Sequence, residues 1–181
     1  MKDYLFTSAR LGFRYWEETD LVPFCEMGKD PEVMQFFPAT LPEQDSIAMV
    51  ARIRQHFSEK GYGLYAVDLL STQKFIGFIG LSTPRFDAYF TPCTEIGWRL
   101  RRDAWGRGLA TEGAIRCLSY AFETFDFSEI YSFTAVINQP SERVMQKAGM
   151  QQVGTFQHPM VADDSPLKAH VLYRMARPGS L

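Results

Sequence analysis

The chain has 181 residues, of which 46% are hydrophobic, 14% aromatic and 22% charged. That composition supplies a buried core, excludes disorder over the whole length, and fits one domain spanning residues 1–181. Nineteen Lys and Arg against 21 Asp and Glu leave a net charge of −2, without the basic surplus that a general nucleic-acid binder gathers on one face.

The first twenty residues scatter charges and hold no apolar stretch of the kind a secretory signal needs. No window approaches the ~20 uncharged apolar residues that cross a bilayer. Cys25, Cys93 and Cys117 are odd in number and widely spaced, as neither a disulfide framework nor a metal knuckle would be. A soluble protein of the cytoplasm with reduced thiols is expected.

In chain order, Leu11 to Trp16 mixes aromatic and alternating polar residues and predicts a strand. Thr19 and Asp20 are placed to cap a helix over LVPFCEMGKD, and Pro31 suits the first turn of another short one. From Glu43 to Lys60, the residues Ile47, Val50, Ile53 and Phe57 recur at steps of three and four, one face of an amphipathic helix. YGLYAVDLL, the turn STQ and KFIGFIGL predict a hairpin whose second arm is apolar on both faces. In CTEIGWRL, Ile96, Trp98 and Leu100 alternate with Glu95, Gly97 and Arg99, the pattern of a strand with one dry and one polar face.

The period then changes. Ala114, Leu118, Ala121, Phe122 and Phe125 form a helical stripe, SEIYSFTAVI predicts a strand, and NQPSERVMQKAG predicts a helix stopping at Gly149. QQVGTFQ and HVLYRMAR close the chain as two strands around the loop 158–168. The implied architecture is α/β (α+β), a mixed and mostly antiparallel sheet of about seven strands with helices on both faces.

The strand–turn–helix at 95–125 has Trp-Gly-Arg-Gly-Leu-Ala-Thr at its joint. Gly106 and Gly108 let backbone N–H groups approach a ligand, and the next helix adds unpaired amides and the positive end of its dipole. With Arg101, Arg102 and Arg107 nearby, this pattern makes an anion site suited to phosphate or pyrophosphate. A Gly-rich turn with solvated arginines is the other reading. A dinucleotide-binding G-x-G-x-x-G is excluded because residue 111 is Thr and the motif lies late, and a Walker loop because GK[ST] is absent. Asn138 and Ser141, at the next strand-to-helix joint, read either as a helix N-cap or as ligand contacts. His56, His158 and His170 have no metal-ligand spacing, so no metal is expected.

R-D-A-W-G-R-G-L-A-T-E at 102–112, with E-I-G-W-R-L before it and N-x-P-S-x-R-V-x-x-K-A-G-M after it, resembles the GNAT superfamily of acyl-CoA-dependent N-acetyltransferases. Within it, the chain looks most like the RimJ/RimL-type ribosomal-protein N-terminal acetyltransferases. The resemblance runs from SARLGFR to VLYRMAR.

The resemblance implies that the backbone of Trp105, Gly106, Arg107, Gly108, Leu109, Ala110 and Thr111 holds the coenzyme A pyrophosphate. Trp105 stands where the family usually has Gln or Arg. The pantetheine arm would lie where the strands ending at Leu100 and Ile137 splay, beside Trp98 and Leu100, with Asn138 and Ser141 facing the thioester. Acetyl transfer to an amine requires that the amine lose a proton, the carbonyl be polarised and the thiolate be protonated. The resemblance makes Glu95 the candidate base, and pairing of Glu95 with Arg99 is the competing reading. Many members use a tyrosine as acid where this chain has Met145, leaving Ser141 as the candidate.

Cys117 lacks an activating base, so direct transfer in a ternary complex is implied. The expected reaction is acetyl-CoA-dependent acetylation of a primary amine, an N-terminal α-amino group of a protein or peptide first. A small-molecule amine (amino acid, polyamine or antibiotic) is the alternative within the class, and a non-catalytic acyl-CoA-binding regulator the alternative outside it. The expected partner is the acceptor amine, with neither nucleic acid nor membrane, and the chain a monomer or homodimer. Asp163 and Asp164, in the last loop, are candidates for attracting a cationic acceptor, or a solvated loop tip.

Overall fold

A computed structural model describes residues 2–179. Eight strands form one sheet: β1 (Phe6–Thr7), β2 (Leu11–Arg14), β3 (Leu64–Leu69), β4 (Lys74–Ser82), β5 (Glu95–Leu100), β6 (Glu129–Ala135), β7 (Gln151–Gln157) and β8 (Ala169–Ala176). Four α-helices accompany them: α1 (Leu21–Lys29), α2 (Glu43–Lys60), α3 (Leu109–Thr124) and α4 (Gln139–Lys147). The strand order is β1-β2-β3-β4-β5-β6-β8-β7. Every pairing is antiparallel except β5 with β6, which run parallel and share one registered pair, Glu95 with Tyr131. The mixed, mostly antiparallel sheet matches expectation, with an added two-residue strand, β1, too short to show a period.

Alternation along the central strands divides the core in two. Tyr65, Val67, Ile76, Ile79, Ile96 and Leu100 enter one cluster together with Leu109, Ala114, Leu118 and Met145 from α3 and α4. Ala66, Phe75 and Phe78 enter the other, with Phe24, Met27, Val50 and Ile53 from α1 and α2. The helices therefore cover opposite faces of the sheet, α3 and α4 on one and α1 and α2 on the other.

Three local expectations are corrected. The strand β2 stops at Arg14, two residues early, and Trp16 instead turns its indole Nε1 to the Leu64 carbonyl at 2.7 Å. Asp20 makes no side-chain cap to α1. Its carboxylate is buried in a bidentate pair with Arg14 at 2.7 and 2.8 Å, and Arg14 in turn grips Asp68 of β3. Pro31 starts no helix. Residues 31–36 are successive turns, in which Asp30 Oδ1 accepts from Glu32 N at 2.9 Å and Pro38 bars continuation.

Candidate active site

The single rung joining β5 to β6 makes the site. Tyr131 N donates to Thr94 O at 2.9 Å and Ser132 Oγ to Ile96 O at 2.9 Å. Beyond these bonds the strands diverge, so β5 from Gly97 to Leu100 has no partner strand on that side. Into this wedge opens a groove of about 710 Å³, within the range of small-ligand sites. Its walls come from β5, β6, the start of α3, α4, the loop before α2 and the loop between β7 and β8.

At one end lies the turn into α3. Gly106 and Gly108 have φ of +70° and +74°, a left-handed backbone that favours glycine. A Cβ on Gly106 would point into open space, and one on Gly108 would meet only Arg10 Nη2 at 3.8 Å. Glu112 N is the first amide to find a helical acceptor, Gly108 O, so the amides of Leu109, Ala110 and Thr111 have none in the helix. An open concavity of free amides at a helix start fits a pyrophosphate. Trp105 Nε1 donates to Leu100 O at 2.9 Å and ties the turn to the end of β5. On the outer side, Arg10 Nη1 donates to Arg107 O at 3.0 Å, while Glu112 accepts Arg10 N, Arg10 Nε and Ser8 Oγ at 2.6 to 2.8 Å. This bracket from the first strands was not legible locally, because about a hundred residues separate its halves.

Trp98, Leu100, Trp105, Gly106, Gly108, Leu109, Ala110, Thr111, Asn138, Ser141 and Glu95 all line the groove. Arg107 does not; its side chain is exposed. Asn138 Oδ1 accepts from Ser141 N at 3.3 Å and Asn138 Nδ2 donates to Thr134 Oγ1 at 2.8 Å, so the N-cap geometry is present and occupies only the backbone of Ser141. Met145 is 1% exposed and belongs to the core.

Glu95 lies half-buried where β5 and β6 still touch. Ser82 Oγ approaches it at 3.4 Å. Burial pushes its carboxyl up to about 8, the serine offsetting this in part. It does not pair with Arg99. The two residues share a face of β5 but stand two strand repeats apart, ~13 Å between Cα atoms. Arg99 is 9% exposed, and its Nε and Nη1 have no hydrogen-bond partner. The guanidinium lies over the Phe37 ring at 4.3 Å and the Phe78 ring at 5.4 Å.

The last hairpin contributes His158 and His170 to the groove, with ring centroids 4.8 Å apart. Burial holds both below the usual imidazole range, His170 at about 4. Asp163 pairs with Lys168 Nζ at 2.8 Å and is almost fully exposed, and neither Asp163 nor Asp164 lines the groove. Cys117 is buried and pushed up to about 12, which makes it inert as a nucleophile. Among the described residues, no group of three His, Cys, Asp or Glu side chains is placed to hold a metal. No helix among them is long and apolar enough to cross a membrane.

A splayed mixed sheet with an amide cradle at the splay is an acyl-CoA acyltransferase arrangement, and comparison with known proteins gives the family. The model of the acetyltransferase (GNAT) domain matches residues 10–151. This chain belongs to the GNAT acetyltransferase family. The uncharacterized N-acetyltransferase YnaD of Bacillus subtilis is 32% identical over 152 residues, covering 83% of this chain and 84% of that protein. Among solved structures, RimL, a ribosomal L7/L12 alpha-N-protein acetyltransferase in complex with coenzyme A, has a TM-score of 0.78 at 14% identity, covering 96% of this chain and 98% of that one. Spermidine N-acetyltransferase from Vibrio cholerae, in complex with CoA and spermine, has a TM-score of 0.74 at 17% identity over 93% and 96% of the two chains. At such identities the two structures share the fold.

Proposed function

We propose that this chain transfers an acetyl group from acetyl-CoA directly to a primary amine, with Glu95 receiving the amine proton, and that its first acceptor is an α-amino group of a peptide or protein in the manner of the RimJ/RimL-type branch. The observation carrying this reading is the half-buried carboxyl of Glu95, in the groove at the apex of the wedge and at the far end of β5 from the amide cradle, where burial raises its affinity for a proton. Bound there, acetyl-CoA supplies the activated thioester. Gly106, Gly108 and the amides of Leu109 to Thr111 hold the pyrophosphate, and the unpaired edge of β5 beside Trp98 and Leu100 receives the pantetheine amides. A backbone N–H of that edge polarises the carbonyl.

Glu95 is suited to its role by its raised affinity for a proton. A base poised near the working pH takes a proton from an ammonium group more readily than an ordinary carboxylate. No tyrosine serves as acid, because the position available to one holds the buried Met145. Ser141, whose hydroxyl is not used by the N-cap, delivers the proton to the departing thiolate directly or through water.

Phe36, Phe37 and Pro38 on one side and Met160 and Val161 on the other line the acceptor end. This bounded channel favours a small amine as the second reading. A polyamine fits it poorly. Among the described residues, Glu95 and Glu32 are the only carboxylates lining the groove, and Glu32 pairs with Arg102. Thiol release from acetyl-CoA, measured over peptides with free N-termini and a panel of small amines, tests the reading. Peptide or small-amine turnover that is lost on Glu95→Gln supports it; turnover with none of them overturns it.

A further inference from the structure

We infer that the acceptor carries an oxyanion several bonds from its amine, and that Arg99 is the receptor for that anion. The inference rests on the acetyl-transfer reading above and adds the chemistry of the second half of the acceptor. A buried guanidinium ordinarily has a carboxylate partner, because desolvating it alone is costly. This protein does so elsewhere: the buried Arg14 holds both Asp20 and Asp68 in bidentate pairs. Arg99 has no such partner among the described residues, and its Nε and Nη1 make no hydrogen bond. The carboxylates that line the groove are engaged, Glu95 by Ser82 and Glu32 by Arg102. Burial alone lowers the guanidinium to about 10, with no acidic neighbour acting on it.

The surroundings of Arg99 orient it as a fork. The guanidinium lies over the rings of Phe37 and Phe78 and lines the groove, and its planar donors match a carboxylate or phosphate. Its place on β5 assigns the anion to the acceptor and not to the cofactor. Arg99 packs with Phe78 of the core under α1 and α2, whereas the free amides of 109–111 start the helix on the opposite face. The spacing also selects among acceptors. Glu95 and Arg99 are ~13 Å apart at Cα on one strand face, so an acceptor with several bonds between amine and anion spans the two. A short peptide with a free C-terminus or an ω-amino carboxylate or phosphate fits.

The test pairs acceptors that differ only in the anion: triglycine against its C-terminal amide, and 6-aminohexanoate against 6-aminohexanamide and 6-aminohexyl phosphate. With wild type, one of the charged acceptors should have a Michaelis constant on the order of 10- to 100-fold below its amide, the size expected for a charge-assisted pair. Whichever anion shows the gap identifies carboxylate or phosphate as the source. In Arg99→Met the gap should close while the acetyl-CoA Kd stays unchanged, and Arg99→Lys should retain part of it. The melting temperature of Arg99→Met should equal or exceed that of wild type, since the change removes an unpaired buried charge; a purely structural arginine would show a loss instead.

A second measurement stands apart from turnover. Hexanoate or hexyl phosphate should bind the CoA-loaded protein by calorimetry, hexanamide should not, and Arg99→Met should abolish the difference. Equal kinetics for charged and neutral acceptors, binding of neither anion, or a weakened acetyl-CoA Kd in Arg99→Met would overturn the inference. If none of these amines is acetylated, the acceptor reading fails for them while the calorimetry still decides Arg99.

Discussion

A carboxyl and a guanidinium share one strand face in this groove, and burial shifts both from their ordinary ionisation. Glu95 has a folded-state value of about 8 against 4.5 for the free side chain, so its ionised, proton-accepting form grows as pH rises. The rate kcat/KM should therefore climb with pH through a midpoint near 8. Glu95→Gln should lower it on the order of 10²-fold and flatten that limb; a pH–rate profile with the same midpoint in the variant would assign the proton to another group. The same shift affects stability with a defined sign. Because the fold favours neutral Glu95, its contribution is full below about 4.5 and is lost progressively as pH rises to about 8. Wild type should accordingly lose stability relative to Glu95→Gln across that interval, as thermal melts in a pH series would record. Asp163, by contrast, is tied to Lys168 at the surface. Asp163→Asn with Asp164→Asn should leave acceptor kinetics and their salt dependence unchanged, and a raised acceptor Michaelis constant would bring the loop back into the channel.

At the scale of elements, the turn from β5 into α3 was the most legible part of the site. Two glycines one residue apart after an alternating strand and before a helical stripe can be read without any fold, because the requirement is local: positive φ at both, then free amides. What was illegible is the support. Trp105 closes on the Leu100 carbonyl, and Arg10, in the turn between β1 and β2, braces the Arg107 carbonyl; neither bond follows from neighbours in sequence. Gly108→Val should weaken acetyl-CoA binding by an order of magnitude or more, since a β-branched residue opposes the left-handed backbone that presents the amides. Calorimetric titration of the folded variant checks this, and an unchanged Kd would remove the turn from the cofactor site. The same distinction explains the misread Asp20. A carboxylate before a helix has the look of a cap, but a buried arginine six residues earlier, itself shared with Asp68 in another strand, is a stronger partner than the helix amides.

For the whole molecule, the order of seven strands along the chain was readable, whereas their order in the sheet was not. Placement of β8 between β6 and β7 depends on pairings whose partners alternate in the same way, so periodicity cannot choose among them. That placement has a mechanical consequence. The sheet consists of two antiparallel halves, β1 to β5 and β6 with β8 and β7, and between strands they are joined by one registered pair. α3 bridges the halves on one face only, packing on β4 and β5 and on α4. A cofactor lying in the wedge would supply contacts that the missing rungs do not, and would bind only when both halves are in place. Saturation with acetyl-CoA at about 100 times its Kd should add ~2.7 kcal/mol to the free energy of unfolding, which for a chain of this size raises Tm by roughly 5–10 °C. Hydrogen exchange should slow at the amides of Trp98, Leu100 and 109–111, which face the groove and not β4 or a helical acceptor, and remain as it was in α1 and α2, which cover the other face. Protection spread evenly over all four helices, or a rise in Tm without protection in β5, would place the ligand somewhere other than the wedge.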